Sequence, residues 1–312
     1  MTARLSRPAG LSGRGVPRAG GLSDGALKWL LITPAFAVIA ATLLWPLVQG
    51  IWFSLHVWNL SRSPVPGPFV GLENYAEVIT EDSDFWNTLG VTALFVAFSV
   101  AGTILAGLAM ALLLAGNGRL EVGVRTLLVI PFAMSPSLVG ISWRFLLNPE
   151  FGAVDAVVKA AIPPLKDVAL LADPTFAMVA LIASDVWHWA PYFMLMFVGA
   201  LATIPPDTVD AAKVDGATGW RTLIHVTLPQ LRPVLAIALL LKVIFSLKLL
   251  DQVVTLTSGG PGTSTQTLSH LIYLTAFRWF DLGYAAAMAV LLALVMGVLA
   301  GIYARLVMGR GS

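Results

Sequence analysis

The sequence contains no cysteine, which excludes disulfide bonds and thiolate metal sites. It also has little charge, because only 12% of its 312 residues are Asp, Glu, Lys or Arg, about half of what a soluble domain carries. Hydrophobic residues make up 57% of the chain, and the mean hydropathy is +0.83. The basic residues are spread between apolar runs and form no patch for nucleic acid. These features predict an all-α integral membrane protein.

Patterns of common catalytic sites are missing too. The sequence has no H-E-x-x-H or G-x-S-x-G, and its four histidines are isolated from one another. It also has no G-x-x-x-x-G-K-[ST] phosphate-binding loop, so the chain is not expected to bind ATP in the usual way. We therefore predict no catalytic residue, no metal site and no cofactor on this chain.

Six apolar runs are long enough to cross the hydrocarbon core, which takes about 20 helical residues. Their approximate limits are 29–55, 89–115, 126–147, 176–204, 234–255 and 283–305. Several contain proline, which membrane helices tolerate where neighbouring groups satisfy the freed carbonyls, so kinks and not breaks are predicted. Residues 1–26 are rich in Arg, Gly, Ser and Pro and are predicted to form a disordered tail. Residues 27–308 are then one helical domain, because the first run is too long for a signal peptide.

The distribution of Lys and Arg predicts the orientation, because these residues are enriched in cytoplasmic loops. With a cytoplasmic N-terminus, twelve of the 19 lie inside and four outside, which also makes the C-terminus cytoplasmic. The longer outer segments, near residues 57–84 and 148–173, are predicted to form short helices along the membrane surface. The inner residues are Arg4, Arg7, Arg14, Arg18, Lys28, Arg119, Arg125, Lys213, Arg221, Arg232, Arg305 and Arg310.

A polar segment between the fourth and fifth runs contains the start and stop residues typical of a helix–turn–helix. Pro206 suits a first helical turn, and Gly216 is placed to end a short helix in the left-handed conformation. Thr218 can cap a second helix, which Pro229 is expected to end. The residues alone leave two interpretations open: a knob that fits a groove of another protein, or an amphipathic loop resting on the membrane.

Seven residues of this segment resemble the EAA loop of ABC-type importer permeases. That pattern is Glu-Ala-Ala, three residues, Gly, nine residues, Ile, one residue and Leu-Pro. Every spacing is kept here, with Asp in place of Glu and Val in place of Ile. The resemblance implies a type I importer permease with six transmembrane helices, whose coupling loop, residues 205–231, docks into a separate ABC ATPase dimer. The matching residues are Asp210, Ala211, Ala212, Gly216, Val226, Leu228 and Pro229.

Four further segments are similar to the carbohydrate-uptake branch of this family. They are FVGLENY (69–75), NPEFG (148–152), WHWAPYF (187–193) and LTSGGPGTSTQTL (256–268). The resemblance implies a subunit of the bacterial inner membrane that imports a sugar or polyol. Its expected partners are a second six-span permease, the ATPase dimer and an extracytoplasmic solute-binding protein. Glycerol phosphate, amino acids or peptides are alternative solutes. An ATP-independent secondary transporter is the alternative from another class, and it predicts broken helices near the membrane midplane.

Polar residues in the fifth run are unusual, because charge inside a bilayer marks either a pathway or a paired structural site. Lys248, Asp251, Gln252 and Thr255 follow helical spacing and are predicted to share one face of the span. Two interpretations remain: a polar stripe that lines the solute path, or a Lys248–Asp251 pair that neutralises itself. Lys242 of the same run is assigned to packing or to a partner contact.

A second polar group lies in the fourth run. Asp185 and His188 share a face, and Trp187, Trp189 and Tyr192 lie close by. Aromatic rings can stack on sugars, although Trp and Tyr also mark membrane interfaces. Asp185, His188, Trp187 and Tyr192 are therefore candidate solute contacts, with a structural role as the alternative.

Overall fold

The computed structural model describes residues 24–116 and 118–308, and the chain divides after Gln49 into two units. The first unit contains α1 (Asp24–Ile39), a π-helical turn (Ala40–Leu44) and the start of α2 (Trp45–Ser54). Most of the predicted N-terminal tail, residues 1–23, lies outside the described residues, and helix begins at Asp24, within that prediction. All side chains discussed below belong to the second unit.

The second unit is helical throughout its apolar segments. The short helices predicted in the two longer loops are present, as α3 and α8. In chain order its α-helices are α3 (Glu73–Thr80), α4 (Ser83–Leu113), α5 (Arg119–Leu128), α6 (Ile130–Ala133), α7 (Pro136–Leu146), α8 (Ala153–Ala161), α9 (Pro174–Leu201), α10 (Pro206–Val214), α11 (Gly219–Thr222), α12 (Leu228–Leu247), α13 (Leu268–Phe277) and α14 (Leu282–Met308).

Four helical stretches of the described chain are long and apolar enough to cross a membrane. They are Lys28–Ser54, Ser83–Leu113, Gly219–Leu247 and Leu282–Arg305. Two bent pairs also qualify if each pair counts as one span: residues 119–146, bent by 98°, and residues 174–214, bent by 76°. The protein is therefore an all-helical membrane protein with four to six candidate spans.

The third predicted span is broken, not kinked, which corrects the expectation for residues 126–147. The helix stops at Ala133 and restarts at Pro136 at an angle of 98°. Ser135 has an extended backbone (ψ 146°), as expected before a proline, and its hydroxyl accepts a hydrogen bond from the Leu138 N–H at 3.3 Å. Ser135 thus caps a new helix, and the carbonyl of Met134 is left outside the helical ladder.

The fifth predicted span, residues 234–255, is also interrupted. Helix α12 ends at Leu247, and helix resumes at Asp251 in a short segment that continues as a π-helical turn, Val253–Thr257. Hydroxyls from the segment that starts α13 satisfy the freed carbonyls: Ser269 donates to Leu247 O at 3.0 Å, and Thr267 donates to Leu249 O at 2.9 Å. These external donors stabilise a break that residue spacing within the span does not indicate.

Pro229 does not end the second helix of the polar segment, contrary to the prediction. Helix α11 continues through a π-helical turn, Leu223–Thr227, into α12, and together they form the apolar stretch Gly219–Leu247. Pro229 lies in the first turn of α12, where its missing N–H is tolerated.

The packing of α4 against α9 forms the centre of the second unit. A Cβ built on Gly107 would lie 3.0 Å from the Phe193 Cβ, so the two helices approach closely at this point. Val100, Ile104 and Phe197 complete an apolar cluster around this contact. The close approach brings side chains of α4, α9 and α12 into the same buried layer.

Candidate functional site

The polar segment, residues 205–231, folds as the predicted helix–turn–helix. Helix α10 begins with Pro206 in its first turn and ends at a glycine with φ +78°. The N–H of Gly216 bonds to Lys213 O at 3.0 Å, and the N–H of Ala217 bonds to Ala212 O at 2.9 Å. This pair of bonds is a Schellman motif, which stops a helix and reverses the chain. Gly216 therefore has the role expected from the sequence.

The turn exposes a surface of small and apolar side chains. Ala211 is exposed and Ala212 half-buried, while Val214 and Trp220 are 87% and 70% exposed. Asp210, the residue that replaces Glu in the family pattern, pairs with Lys213 of its own helix at 2.8 Å. Exposed apolar side chains, next to small ones that let another molecule come close, are typical of an interaction site. We define the surface formed by Ala211, Ala212, Val214 and Trp220 around the Gly216 turn as the knob.

The remaining residues of the pattern lie behind the knob. Val226 is in the π-helical turn, and Leu228 and Pro229 are in the first turn of α12; all three are half-buried. Helix α10 packs against α11 and this π-helical turn, so the knob is attached to the base of α12.

Deep in the unit, a buried ion pair joins three helices. Asp185 of α9 accepts hydrogen bonds from Lys242 of α12 and Ser99 of α4. The side chains of Lys242 and Asp185 are 0% and 1% exposed. Asp185 is thus a partner of Lys242 and not a free group facing a path. The sequence predictions missed this pair, although two opposite charges in apolar spans were the signal that could have found it.

His188 and Gln252 are also buried and bonded. The Nδ1 atom of His188 lies 3.3 Å from Gln252 Nε2, and its Nε2 atom lies 3.2 Å from the Met134 carbonyl. The Ser184 hydroxyl donates to Leu181 O at 2.8 Å, and its oxygen lies 3.4 Å from Gln252 Oε1. Asp185 and His188 are one helical turn apart on α9, and Gln252 comes from the short segment after α12. The structure therefore brings residues of the two predicted groups together in a single buried polar layer.

A cavity of about 240 Å³ lies beside this layer. One wall is a stacked pair, Trp189 and Phe245, with ring centroids 4.6 Å apart and planes at 22°. Lys248 and Asp251 line the same cavity, and both are exposed. Gln252 also reaches this lining. An aromatic face beside a cation, a carboxylate and an amide suits a small solute with an apolar face and several hydroxyls.

The predicted polar stripe is not one helical face, because the helix ends at Leu247 and resumes only at Asp251, which leaves Lys248 outside both helical segments. Lys248 Nζ lies over the Phe245 ring at 5.9 Å, and Asp251 accepts a hydrogen bond from Ser137 at 3.4 Å. The ion pairs in the described chain do not include a Lys248–Asp251 contact, so the two charges do not neutralise each other. Both remain available to the cavity.

Thr255 does not line this cavity. A Cβ on Gly140 of α7 would come within 2.0 Å of Thr255 Oγ1, and the Thr255 hydroxyl donates to Asp251 O at 2.7 Å. The glycine allows the two segments to touch, so Thr255 contributes to packing between them.

The aromatic candidates of α9 also separate. Trp187 is 41% exposed and packs edge-on against Trp143 at 6.2 Å, away from the cavity lining. Tyr192 is half-buried and lies 5.0 Å from the Phe132 ring, in a cluster that includes Trp189. Trp189, which carried no site prediction, is the α9 aromatic residue that reaches the cavity.

A second cavity, of about 310 Å³, is acidic. Its lining includes the carboxylates of Glu77, Asp82, Asp84 and Asp281, and none of the described residues that line it is Lys or Arg. Burial raises the pKa of Glu77, and neighbouring carboxylates raise it further. Tyr284 donates to Asp82 at 2.8 Å. The negative potential suits a cationic group of another molecule.

Comparison with known proteins places these features in context. A family model described as "Binding-protein-dependent transport system inner membrane component" matches residues 103–310. The sulfoquinovosyl glycerol transport system permease protein SmoG of Agrobacterium fabrum is 31% identical over 92% of each chain. The trehalose/maltose transport system permease protein MalF of Thermococcus litoralis is 34% identical over 83% of this chain and 85% of its own.

A solved structure has the same fold. It is a chain of a bacterial alginate ABC transporter in complex with an alginate pentasaccharide-bound periplasmic protein, with a TM-score of 0.75 and 20% identity. The match covers 89% of this chain and 92% of that chain.

Proposed function

The chain belongs to the family of binding-protein-dependent transport system inner membrane components, and we propose from this premise that it imports a sugar or related polyol. It is a permease component of the inner membrane. The names of its relatives refer to sulfoquinovosyl glycerol, trehalose and maltose, which favours a carbohydrate as the solute. The chain itself carries no phosphate-binding loop, so ATP is hydrolysed by a separate subunit.

The observation that carries the proposal is the knob at Gly216. It has the pattern Asp210 to Pro229 of the EAA loop, a Schellman turn and exposed apolar side chains. A membrane-resting loop does not need a left-handed glycine turn, whereas a surface that enters a cleft needs small side chains and a fixed shape. The knob docks into an ABC ATPase dimer in this proposal.

The proposed topology has six spans with both termini in the cytoplasm. The bent pair at residues 119–146 then counts as one span and α9 (Pro174–Leu201) as another, while α10 lies outside the membrane in the knob. The excess of Lys and Arg is on the knob side of the membrane. The acidic cavity at Glu77 and Asp281 then lies on the outer side. There it can receive basic side chains of a solute-binding protein, through charge complementarity that also speeds association.

The proposed solute site is the cavity beside Trp189 and Phe245. Its aromatic wall offers a face to a pyranose ring, while Lys248 and Asp251 offer a donor and an acceptor to hydroxyls. Both charges are exposed and not paired with each other, so they keep the capacity to bind solute. A second six-span permease would close the open side of this cavity.

The mechanism follows from these parts. The loaded binding protein docks on the outer surface, and ATP-driven closure of the ATPase dimer moves the knob and the attached α12. The cavity becomes open to the outside, receives solute, and returns to the inward-open state after hydrolysis. The two sites are coupled by conformational free energy, so solute binding and ATPase state influence each other reciprocally.

The experiment that tests the proposal is purification of the native complex in mild detergent, followed by identification of every stoichiometric component. We expect an ATPase and a second permease, and ATP-dependent uptake after reconstitution with the cognate binding protein. If the chain purifies alone and transports without ATP, it is a secondary transporter. The two interrupted helices are compatible with that class, so this measurement is decisive.

The solute site has its own test within the reconstituted complex. We expect Lys248→Ala and Asp251→Ala each to raise the apparent KM for uptake at least about fivefold, the effect of about 1 kcal/mol of lost hydrogen bonding. Thr255→Ala, which alters packing outside the cavity lining, is the control. An unchanged KM in both charge variants would show that the solute binds at a site other than this cavity.

A further inference from the structure

The two interrupted spans meet at one histidine. The first interruption leaves the carbonyl of Met134 outside the helical ladder. The second separates α12 from the short segment that begins at Asp251. His188 of α9 contacts both, with Nε2 3.2 Å from Met134 O and Nδ1 3.3 Å from the Gln252 side chain. The residue is 2% exposed, so water does not compete for these bonds.

The partners determine which atoms carry hydrogen. A backbone carbonyl only accepts, so Nε2 of His188 is the donor to Met134. The neutral ring then leaves Nδ1 as an acceptor, which takes a hydrogen from Gln252 Nε2. The other amide atom of Gln252, Oε1, lies 3.4 Å from the Ser184 hydroxyl, whose shorter bond at 2.8 Å goes to Leu181 O. The donors and acceptors from Met134 through His188 to Gln252 are therefore consistent with one another.

The two bonds of His188 form a bridge between the Met134 turn and the Gln252 segment. This bridge lies next to a stronger set of bonds at Asp185. One turn before His188, Asp185 fixes α9 to α4 and α12 through buried, charge-assisted bonds. The bonds of His188 are neutral and longer, and they end on segments where the regular helical ladder is already interrupted. A movement that leaves the three anchored helices together can therefore break the His188 bonds first.

We propose that His188 is a positioning residue that locks the two interrupted spans together while the solute path is closed. The inference rests on the proposed importer function. When the knob moves α12, the segment at Gln252 and the Met134 turn separate, and the His188 bonds break. They re-form at the end of each cycle. His188 does not contact solute in this role, and its loss lowers the barrier to opening in the absence of solute.

The test uses the complete reconstituted importer and three variants of one residue. In His188→Gln the amide nitrogen takes the place of Nε2 and keeps the Met134 bond. In His188→Asn the amide takes the place of Nδ1 and keeps the Gln252 bond. His188→Ala removes both. The readouts are ATPase activity without binding protein or solute, solute imported per ATP, and the amount of assembled complex.

We expect ATPase activity in the absence of solute to rise about threefold or more in each amide variant and about tenfold or more in His188→Ala, because each lost bond lowers the barrier to opening. Solute imported per ATP should fall in the same order. The matched control is Ser246→Ala, which alters a buried hydroxyl of α12 that has no hydrogen-bond partner among the described residues. It should leave both readouts unchanged.

The outcomes separate the inference from the proposed function. An ATP-driven wild-type complex with unaltered basal ATPase in His188→Ala refutes the lock alone. A wild-type complex that contains no ATPase refutes the importer, and the lock with it. If His188→Ala does not assemble, Gln252→Leu removes the same bridge from the other side and is expected to raise basal ATPase likewise; wild-type coupling in that variant contradicts the lock.

Discussion

Two Lys–Asp pairs in this protein have the same chemistry and opposite surroundings. Lys242 and Asp185 are 0% and 1% exposed and join α12 to α9, 57 residues apart. Lys213 and Asp210 are 64% and 65% exposed and lie three residues apart on α10. The buried pair holds separate spans together, whereas the exposed pair sits on a surface that is available to a partner.

The difference shows that the burial of an ion pair, and not its presence alone, determines how much the loss of one partner costs in stability. Exposed pairs contribute about 0–1 kcal/mol, because water already solvates both charges. In a buried pair, removal of one partner leaves the other charge without solvent or counter-charge, at a cost of about 3–5 kcal/mol. The knob gains its shape from backbone geometry instead, through the glycine turn that follows Lys213.

The largest effect is expected for Lys242→Met. The substitution keeps the apolar stem but leaves Asp185 buried and without its cation, so the protein should lose about 3–5 kcal/mol of stability. Thermal unfolding of the detergent-purified complex and its level in the membrane measure this loss. A variant of wild-type stability would show that Asp185 is not charged or not buried, and would break the comparison.

The next largest effect is expected for Gly216→Val, which changes the turn of the exposed knob. A Cβ at this position meets nothing within 4 Å, so the effect is not a clash but the φ of +78°, which costs an L-residue about 1–2 kcal/mol or more if β-branched. We expect normal insertion into the membrane and loss of ATP-coupled uptake.

The control for this variant is Gly219→Ala, whose Cβ also meets nothing and whose φ is not positive. It should transport normally. Normal uptake by Gly216→Val would remove the link between the turn and coupling.

A smaller effect is expected when both buried charges are neutralised, in Asp185→Asn with Lys242→Met. No lone charge remains, so the double variant should recover most of the stability that Lys242→Met loses, with a residual loss of about 1–2 kcal/mol. A double-mutant cycle on thermal unfolding gives the coupling energy. Simple additivity of the two losses would mean that the residues do not interact.

The smallest effect is expected for Lys213→Met, the same substitution at the exposed pair. Stability should change by less than about 1 kcal/mol, and added salt should reduce even that difference. Thermal unfolding at low and high salt is the measurement. A loss similar to that of Lys242→Met would show that a partner subunit buries the Lys213–Asp210 pair in the native complex.

The sequence predicted the features that depend on neighbouring residues. Apolar runs located the helices, and Pro206 and Gly216 located the ends of α10, because a helix start and a glycine turn are local in the chain. The Pro136 break was missed although a local signal existed: Ser135 is a good cap, and the residue before proline avoids helix.

The remaining site features depend on packing between distant segments. The break after Leu247 is stabilised by hydroxyls of Thr267 and Ser269, which no pattern within the span reveals. The pairing of Lys242 with Asp185 depends on which helices pack together. A helical-spacing argument therefore placed Lys248 and Asp251 on a face that does not exist.

The helix from Gly219 to Leu247 has a geometric consequence. Its 29 residues form one nearly continuous rod of about 42 Å, with the knob attached at one end and the aromatic wall at Phe245 near the other. A tilt of about 10° about one end displaces the opposite end by about 7 Å. This displacement is comparable to the width of a sugar ring. In the proposed importer, a modest rotation at the knob would therefore move the cavity end of α12, with the helices that Lys242 and Asp185 anchor to it, by about the size of the solute.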